Sequence, residues 1–250
     1  MTSFPIDPTG WVIVIGGALI AGFITGFAGF GTVLVASGFW FYALPAPVVP
    51  PLLVIASVAG QAVGLVAVRA AFDWRRVAPY LIGAAVGVPL GVLALSHAAP
   101  ALLRLSVGVF LIAYASFQLS RLTRLGVGAW GGRAADGVVG LGGGFLGGFS
   151  GLSGPLPLIW LQLRGGPSSE QRATYQPFNL VVLSFTCVVM ALSGKIGKEV
   201  LTLSAMLIPL SLFGAWCGVK AYPLMSERGF RRVVLFLLIV SGAVLILQGV

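Results

Sequence analysis

Glycine, hydroxyl and proline residues crowd two short stretches, Gly26-Phe27-Ala28-Gly29-Phe30-Gly31-Thr32 and Gly147-Gly148-Phe149-Ser150-Gly151-Leu152-Ser153-Gly154-Pro155-Leu156-Pro157. Each glycine costs a continuous helix about 1 kcal/mol relative to alanine, so both stretches predict chain breaks. Pro155 suits the first position of a new helix. Backbone N–H groups of Gly29 to Thr32 and of Gly151 to Gly154 would then stand at positive helix ends, which attract anions. The chemistry expected of them is recognition of an oxyanion by fixed neutral dipoles.

The polar side chains within apolar surroundings fit that chemistry. The expected substrate shell is Thr25, Gly29, Gly31, Thr32 and Gln61 with Ser150, Gly151, Ser153, Gly154, Gln176 and Asn179; Ser37, Ser57, Tyr175 and Ser184 complete the neutral inventory. Gln61 and Asn179 follow the breaks at comparable distance, 30 residues after Gly31 and 25 after Gly154. An amide in hydrocarbon is costly unless bonded or wetted, so each either serves the substrate or bridges two helices. The six acids, Asp7, Asp73, Asp136, Glu170, Glu199 and Glu227, all fall near the ends of apolar runs. No buried carboxylate relay of the kind that drives pumps is expected. Arg172 is expected to pair on the surface with Glu170, and Lys220 to snorkel.

Bond-making chemistry finds little support. With one histidine and no Cys/His cluster, neither a metal site nor a cofactor is expected, and Cys187 and Cys217 read as packing residues inside apolar runs. Gly151-Leu152-Ser153-Gly154 looks like the G-x-S-G of intramembrane serine hydrolases, but the sole histidine, His97 in Ser96-His97-Ala98-Ala99-Pro100, belongs to a short connection at a membrane face. An enzyme is therefore not expected; a carrier is preferred, with a passive anion channel as the alternative.

The elements that must position these residues are membrane helices. Of 250 residues, 58% are hydrophobic and 8% charged, against about 25% charged in a soluble domain. The net charge of +9 comes from 15 Lys/Arg scattered singly between apolar runs, which excludes the clustered basic face of a nucleic-acid binder. No Lys or Arg precedes the first apolar run, so a cleaved signal peptide is not expected. Charge-free intervals, split at Pro45, Pro47, Pro50 and Pro51, predict eight segments: 11–44, 49–69, 77–96, 101–119, 136–163, 174–194, 200–221 and 230–249.

An internal repeat organises them. Gly22-Phe23-Ile24-Thr25-Gly26-Phe27-Ala28-Gly29 aligns with Gly144-Phe145-Leu146-Gly147-Gly148-Phe149-Ser150-Gly151 at five of eight positions. Gly83-xxx-Gly87 with Gly91 corresponds to Gly214-xxx-Gly218, and Arg104 to Arg232, each opening the next segment. Two four-segment repeats, 1–122 and 134–250, joined by a basic linker, 123–133, are expected. If all eight segments crossed, Lys and Arg would divide eight against seven; if segments one and five are broken and re-entrant, they divide twelve against three, with Arg104, Lys195 and Lys198 on the minority side. The second division obeys the positive-inside rule and gives an inverted-topology repeat.

At these residues the chain resembles the TauE/SafE sulfite exporter family, whose halves each begin with a segment of the form G-x-x-x-G-[FL]-x-G-x-G-G. Gly22, Gly26, Gly29 and Gly31 fit in the first half; Gly144 or Gly147, Gly151 and Gly154 fit in the second, followed by Pro155 and Pro157. Thr32 and Ser153 depart from it, standing where the family tends to have glycine. The resemblance covers nearly the whole chain. It implies an all-α, multi-pass inner-membrane protein of eight segments that moves sulfite, sulfonates or other small organosulfur anions.

Overall fold

Largely apolar runs fold as ten helices in a computed structural model, which describes residues 7–28, 31–65, 73–120, 126–128, 130–221 and 227–249. They are α1 (Pro8–Ala28), α2 (Thr32–Ala43), α3 (Val49–Leu65), α4 (Trp74–His97), α5 (Pro100–Leu119), α6 (Gly132–Ser150), α7 (Pro155–Arg164), α8 (Ser168–Leu192), α9 (Lys198–Ala221) and α10 (Glu227–Gly249). No strand occurs among the described residues. Asp73 starts α4 by accepting a bond from the Arg75 N–H, 2.9 Å, and Pro100 opens α5. Both are positions where a helix N-terminus favours those residues.

Among the described residues six helices are long and apolar enough to cross a bilayer: Pro8–Phe27, Trp74–His97, Pro100–Leu119, Glu170–Leu192, Lys198–Ala221 and Arg232–Gly249. Thr32–Ala43 and Val49–Gln61 are shorter apolar helices. The all-helical expectation holds, with six candidate spans and two shorter apolar helices where eight segments were expected. Expected segments one and five each resolve into two helices, α1 with α2 and α6 with α7. With eight glycines and the charges of Arg133 and Asp136, α6 is not among the six.

Large apolar side chains lie on the outer faces. On α4, Ile82, Val86, Leu90 and Leu93 are exposed while Gly87, Gly91, Ala84 and Val88 are buried. Such a face meets lipid, and the small residues opposite let helix backbones approach closely. A Cβ added at Gly83, Gly87 or Gly91 would strike the carbonyls of Gly137, Leu141 and Phe145 on α6. Cβ atoms at Gly214 and Gly218 on α9 would strike the Leu19 and Phe23 carbonyls on α1 in the same way. In both pairs the residue numbers rise together, so α4 runs parallel to α6 and α1 parallel to α9. By contrast α5 and α10 run antiparallel, Gly108 lying against Gly242 and Gly249 against Ala101.

Each helix pair around a break is a hairpin. The Trp40 indole near the end of α2 donates to the Val14 carbonyl near the start of α1, 3.1 Å. At the end of α7, Arg164 Nη2 donates to the Gly132 carbonyl at the start of α6, 2.7 Å. The return limbs, of 12 and 10 residues, are about 18 and 15 Å long at 1.5 Å per residue, about half the ~30 Å hydrocarbon thickness.

Candidate functional site

The two breaks fold as their glycines require. Gly31 precedes α2 with φ of 119° and Gly151 follows α6 with φ of 81°, in the left-handed region that side chains with a Cβ resist. At the second break the Gly151 N–H bonds the Gly147 carbonyl, 2.8 Å, and the Leu152 N–H the Leu146 carbonyl, 3.2 Å. These two groups cap α6, which corrects the expectation that all N–H groups from Gly151 to Gly154 are available to a ligand. Pro155 and Pro157 bring no N–H, so the free donors at the start of α7 are those of Ser153, Gly154 and Leu156. The first turn of α2, Thr32 to Leu34, contains no proline and keeps all three.

A cavity lies where these two helix starts meet. It is lined by Gly31, Thr32, Val33 and Leu34 from the first break and by Gly151, Leu152, Ser153, Gly154 and Pro155 from the second. Ser57 and Gln61 of α3 and Tyr175 and Asn179 of α8 complete its polar wall, and no charged residue among those described lines it. The centre of a water-sized sphere can reach about 30 Å³ of it, room for about two waters or one small ion. Ser153 Oγ donates to Asn179 Oδ1, 3.0 Å. Among the described residues the Ser57 hydroxyl, 1% exposed, has no partner, and the Gln61 side chain, 7% exposed, makes no hydrogen bond.

Seven of the expected shell residues thus converge: Gly31, Thr32, Gln61, Gly151, Ser153, Gly154 and Asn179. Thr25 sits behind them, its hydroxyl 2.6 Å from that of Thr32 and bonded to the Ala21 carbonyl, 2.8 Å. It lines a smaller neighbouring cavity that shares Thr32. Ser150 Oγ turns back to the Leu146 carbonyl, 3.1 Å. Gln176 is buried but does not line the cavity, because it follows Tyr175 by one residue, a rotation of about 100° around α8. Gly29 lies outside the described residues. Ser57 and Tyr175, in the neutral inventory but outside the expected shell, do line the cavity; their apolar neighbours hid them, and only their distance from Gln61 and Asn179, one helical turn, could have pointed to them.

The hydrolase motif is occupied differently. Ser153 is bonded to an amide, while His97 is exposed at the end of α4 with Nδ1 2.9 Å from the Leu93 carbonyl. Asp136 lies near the start of its apolar run, as expected, yet it is not open to solvent. It is 6% exposed, accepting Tyr80 Oη at 2.7 Å and Trp160 Nε1 at 2.8 Å, with Arg164 Nη1 3.3 Å from its other oxygen. Sequence position one turn into a helix looked like an edge; hairpin closure by α7 covers it. Glu170 is likewise paired with Arg76 of α4, a partner across the bundle where Arg172 was expected.

The pattern described as sulfite exporter TauE/SafE matches residues 14–245, nearly the whole chain. The chain belongs to the TauE/SafE family. No curated protein and no solved structure matches it. As a TauE/SafE protein it is a transmembrane transport protein, a multi-pass helical chain in a family of transporters, and the family description points to sulfite-type anions. Both glycine breaks and every residue lining the TauE/SafE chain's cavity fall inside the matched range.

Proposed function

We propose that this protein is a carrier that exports sulfite or a small sulfonate across a cell's inner membrane, holding the anion between the N-terminal ends of α2 and α7. The observation that carries this reading is the convergence of both helix starts on one uncharged cavity whose wall includes the unpartnered Ser57 hydroxyl. Each helix start contributes about half a positive charge. Two together offset about one elementary charge, which favours a singly charged oxyanion over a doubly charged one. Neutral donors suit release as well as capture, because a buried Lys or Arg would hold the anion too tightly to pass it on.

An inverted arrangement of repeats 1–122 and 134–250 accounts for the packing. Parallel pairing of α1 with α9 and of α4 with α6 exchanges equivalent partners between the halves, Leu19 and Phe23 in one matching Leu141 and Phe145 in the other. Following the chain from α6 through α9 to its parallel neighbour α1, the two hairpins enter from opposite faces. Arg75, Arg76, Arg133, Arg164, Arg172, Lys220 and Arg232 then fall on one face and Arg104, Lys195 and Lys198 on the other, the cytoplasmic side being the richer. Each hairpin brings its helix start toward the middle of the bilayer, as in other carriers with discontinuous helices.

The test is flux of labelled sulfite, sulfoacetate and sulfate in proteoliposomes, with and without a pH gradient. Sulfite or sulfoacetate on the far side should accelerate flux, as counterflow requires of a carrier; flux insensitive to far-side anion would replace the carrier by a channel, and no flux of any of the three would overturn the reading.

A further inference from the structure

The two hairpins are tied in different ways at their mouths. When Gly22–Gly29 is laid on Gly144–Gly151, Val14 and Asp136 occupy the same place. In the first hairpin the Trp40 indole donates to the Val14 backbone carbonyl, 3.1 Å, whereas in the second the Trp160 indole donates to the Asp136 carboxylate, 2.8 Å. That carboxylate brings in Tyr80 from α4 at 2.7 Å and Arg164 at the end of α7. The guanidinium contact, at 3.3 Å, is the longest of the three. If Arg164 left, Asp136 would keep two short bonds from neutral donors, so the guanidinium can let go without orphaning a buried charge.

Arg164 keeps its Nη2 bonds to the Gly132 and Trp130 carbonyls, 2.7 and 3.4 Å, and is set for a further acceptor in place of Asp136. It lies over the Trp160 ring, 5.2 Å from the centroid, and its Nε–H is buried with no partner. Around it opens a recess of about 490 Å³, lined with Arg75, Arg76, Arg133, Asp73 and Glu170. Arg76 already engages Asp73 and Glu170, which leaves the remaining arginines with more positive charge than the acids cancel. The recess reaches inward to Leu161 of α7 and Thr174 of α8, and the inner cavity begins at Leu158 and Tyr175. The two spaces are separated by one turn of α7, about 5 Å.

We propose that Arg164 is an oxyanion-binding residue of this recess: a sulfite-type or sulfonate anion takes the guanidinium from Asp136 through the paired N–H groups that suit a planar fork, and the loosened end of α7 opens the one-turn partition to the inner cavity. The opening step rests on the proposed function above; binding in the recess does not.

The experiment is fluorine NMR of the full chain carrying 5-fluorotryptophan, titrated with methanesulfonate in detergent, with the Trp160 signal assigned by Trp160→Phe. The Trp160 signal should shift saturably in the unmodified chain and in Asn179→Leu, a position that lines the inner cavity and not the recess. In Arg164→Gln the midpoint should rise at least tenfold, in Arg164→Lys by less, and in Asp136→Asn it should fall severalfold because the competing carboxylate charge is gone. An unmoved Trp40 signal reports an intact fold in each variant. An unchanged midpoint in both Arg164 variants, or loss of the shift in Asn179→Leu, overturns the proposal. Failure of sulfonate flux alone, with the Trp160 titration as expected, would remove the proposed function and leave the recess site standing.

Discussion

The Ser153 hydroxyl donates to Asn179 Oδ1 across 3.0 Å, joining the start of α7 to the middle of α8, and Gly154 lies against the same amide. A Cβ at Gly154 would sit 2.5 Å from Asn179 Nδ2 and 2.8 Å from Oδ1. The backbone there is ordinary right-handed helix, φ −78° and ψ −37°, so the glycine is required by the amide beside it and not by its own torsions. Gly154→Ala should therefore express and fold, displace Asn179, and lower sulfite flux about tenfold or more. Gly16→Ala, which meets nothing within 4 Å, serves as the control in the same proteoliposome assay.

Replacing the amide itself removes a donor from the cavity wall and orphans the Ser153 hydroxyl. Asn179→Leu should weaken anion affinity by about 1–3 kcal/mol, the usual cost of a lost bond to a charged partner. Titration of the purified protein with sulfite, followed by calorimetry, measures this; affinity within twofold of the unmodified protein would place the anion elsewhere.

Charge at the helix starts makes a pH prediction. Sulfite is singly charged when protonated and doubly charged when not, and two helix ends offset about one charge. Apparent sulfite affinity should fall as pH rises through sulfite's own ionisation, whereas methanesulfonate, singly charged throughout, should show no such change. Parallel pH dependence of both anions would instead point to a titrating protein group.

Gly87 and Gly214 hold helix backbones in contact with the carbonyls of Leu141 and Leu19. Neither carbonyl can swing aside as a side chain could. Valine at either position should cost about 1–3 kcal/mol or more by overpacking, seen as a lower Tm in detergent, and the two losses should be similar because the two contacts are equivalent. Gly197→Ala, in open space, should leave Tm unchanged.

Sidedness can be read with cysteines. Single cysteines at Arg133 and Arg164 should react with a membrane-impermeant thiol reagent from one face, and a cysteine at Lys195 from the other, in a background lacking Cys187 and Cys217. Labelling of all three from the same face would contradict the opposed hairpins.

Much of this architecture follows from the chain alone. Fifteen basic residues spaced between apolar runs mark segments that helices then fill, because unpaired backbone in hydrocarbon costs several kcal/mol per group. Glycine density located both breaks, and Pro155 marked the first residue of α7, since local backbone preference needs no partner to express itself. What the tertiary structure decided are the relations between distant segments. Ser57 joins Gln61 at the cavity only because α3 packs beside both helix starts, and Gly151 and Leu152 are withdrawn from ligand binding because their N–H groups must cap α6. Asp136 read as an edge residue until α7 folded back over it with Trp160 and Arg164. Burial and bonding belong to the space between helices, and the pairing that creates that space is set by close contacts such as Gly214 on Leu19, which sequence periodicity within one helix does not contain.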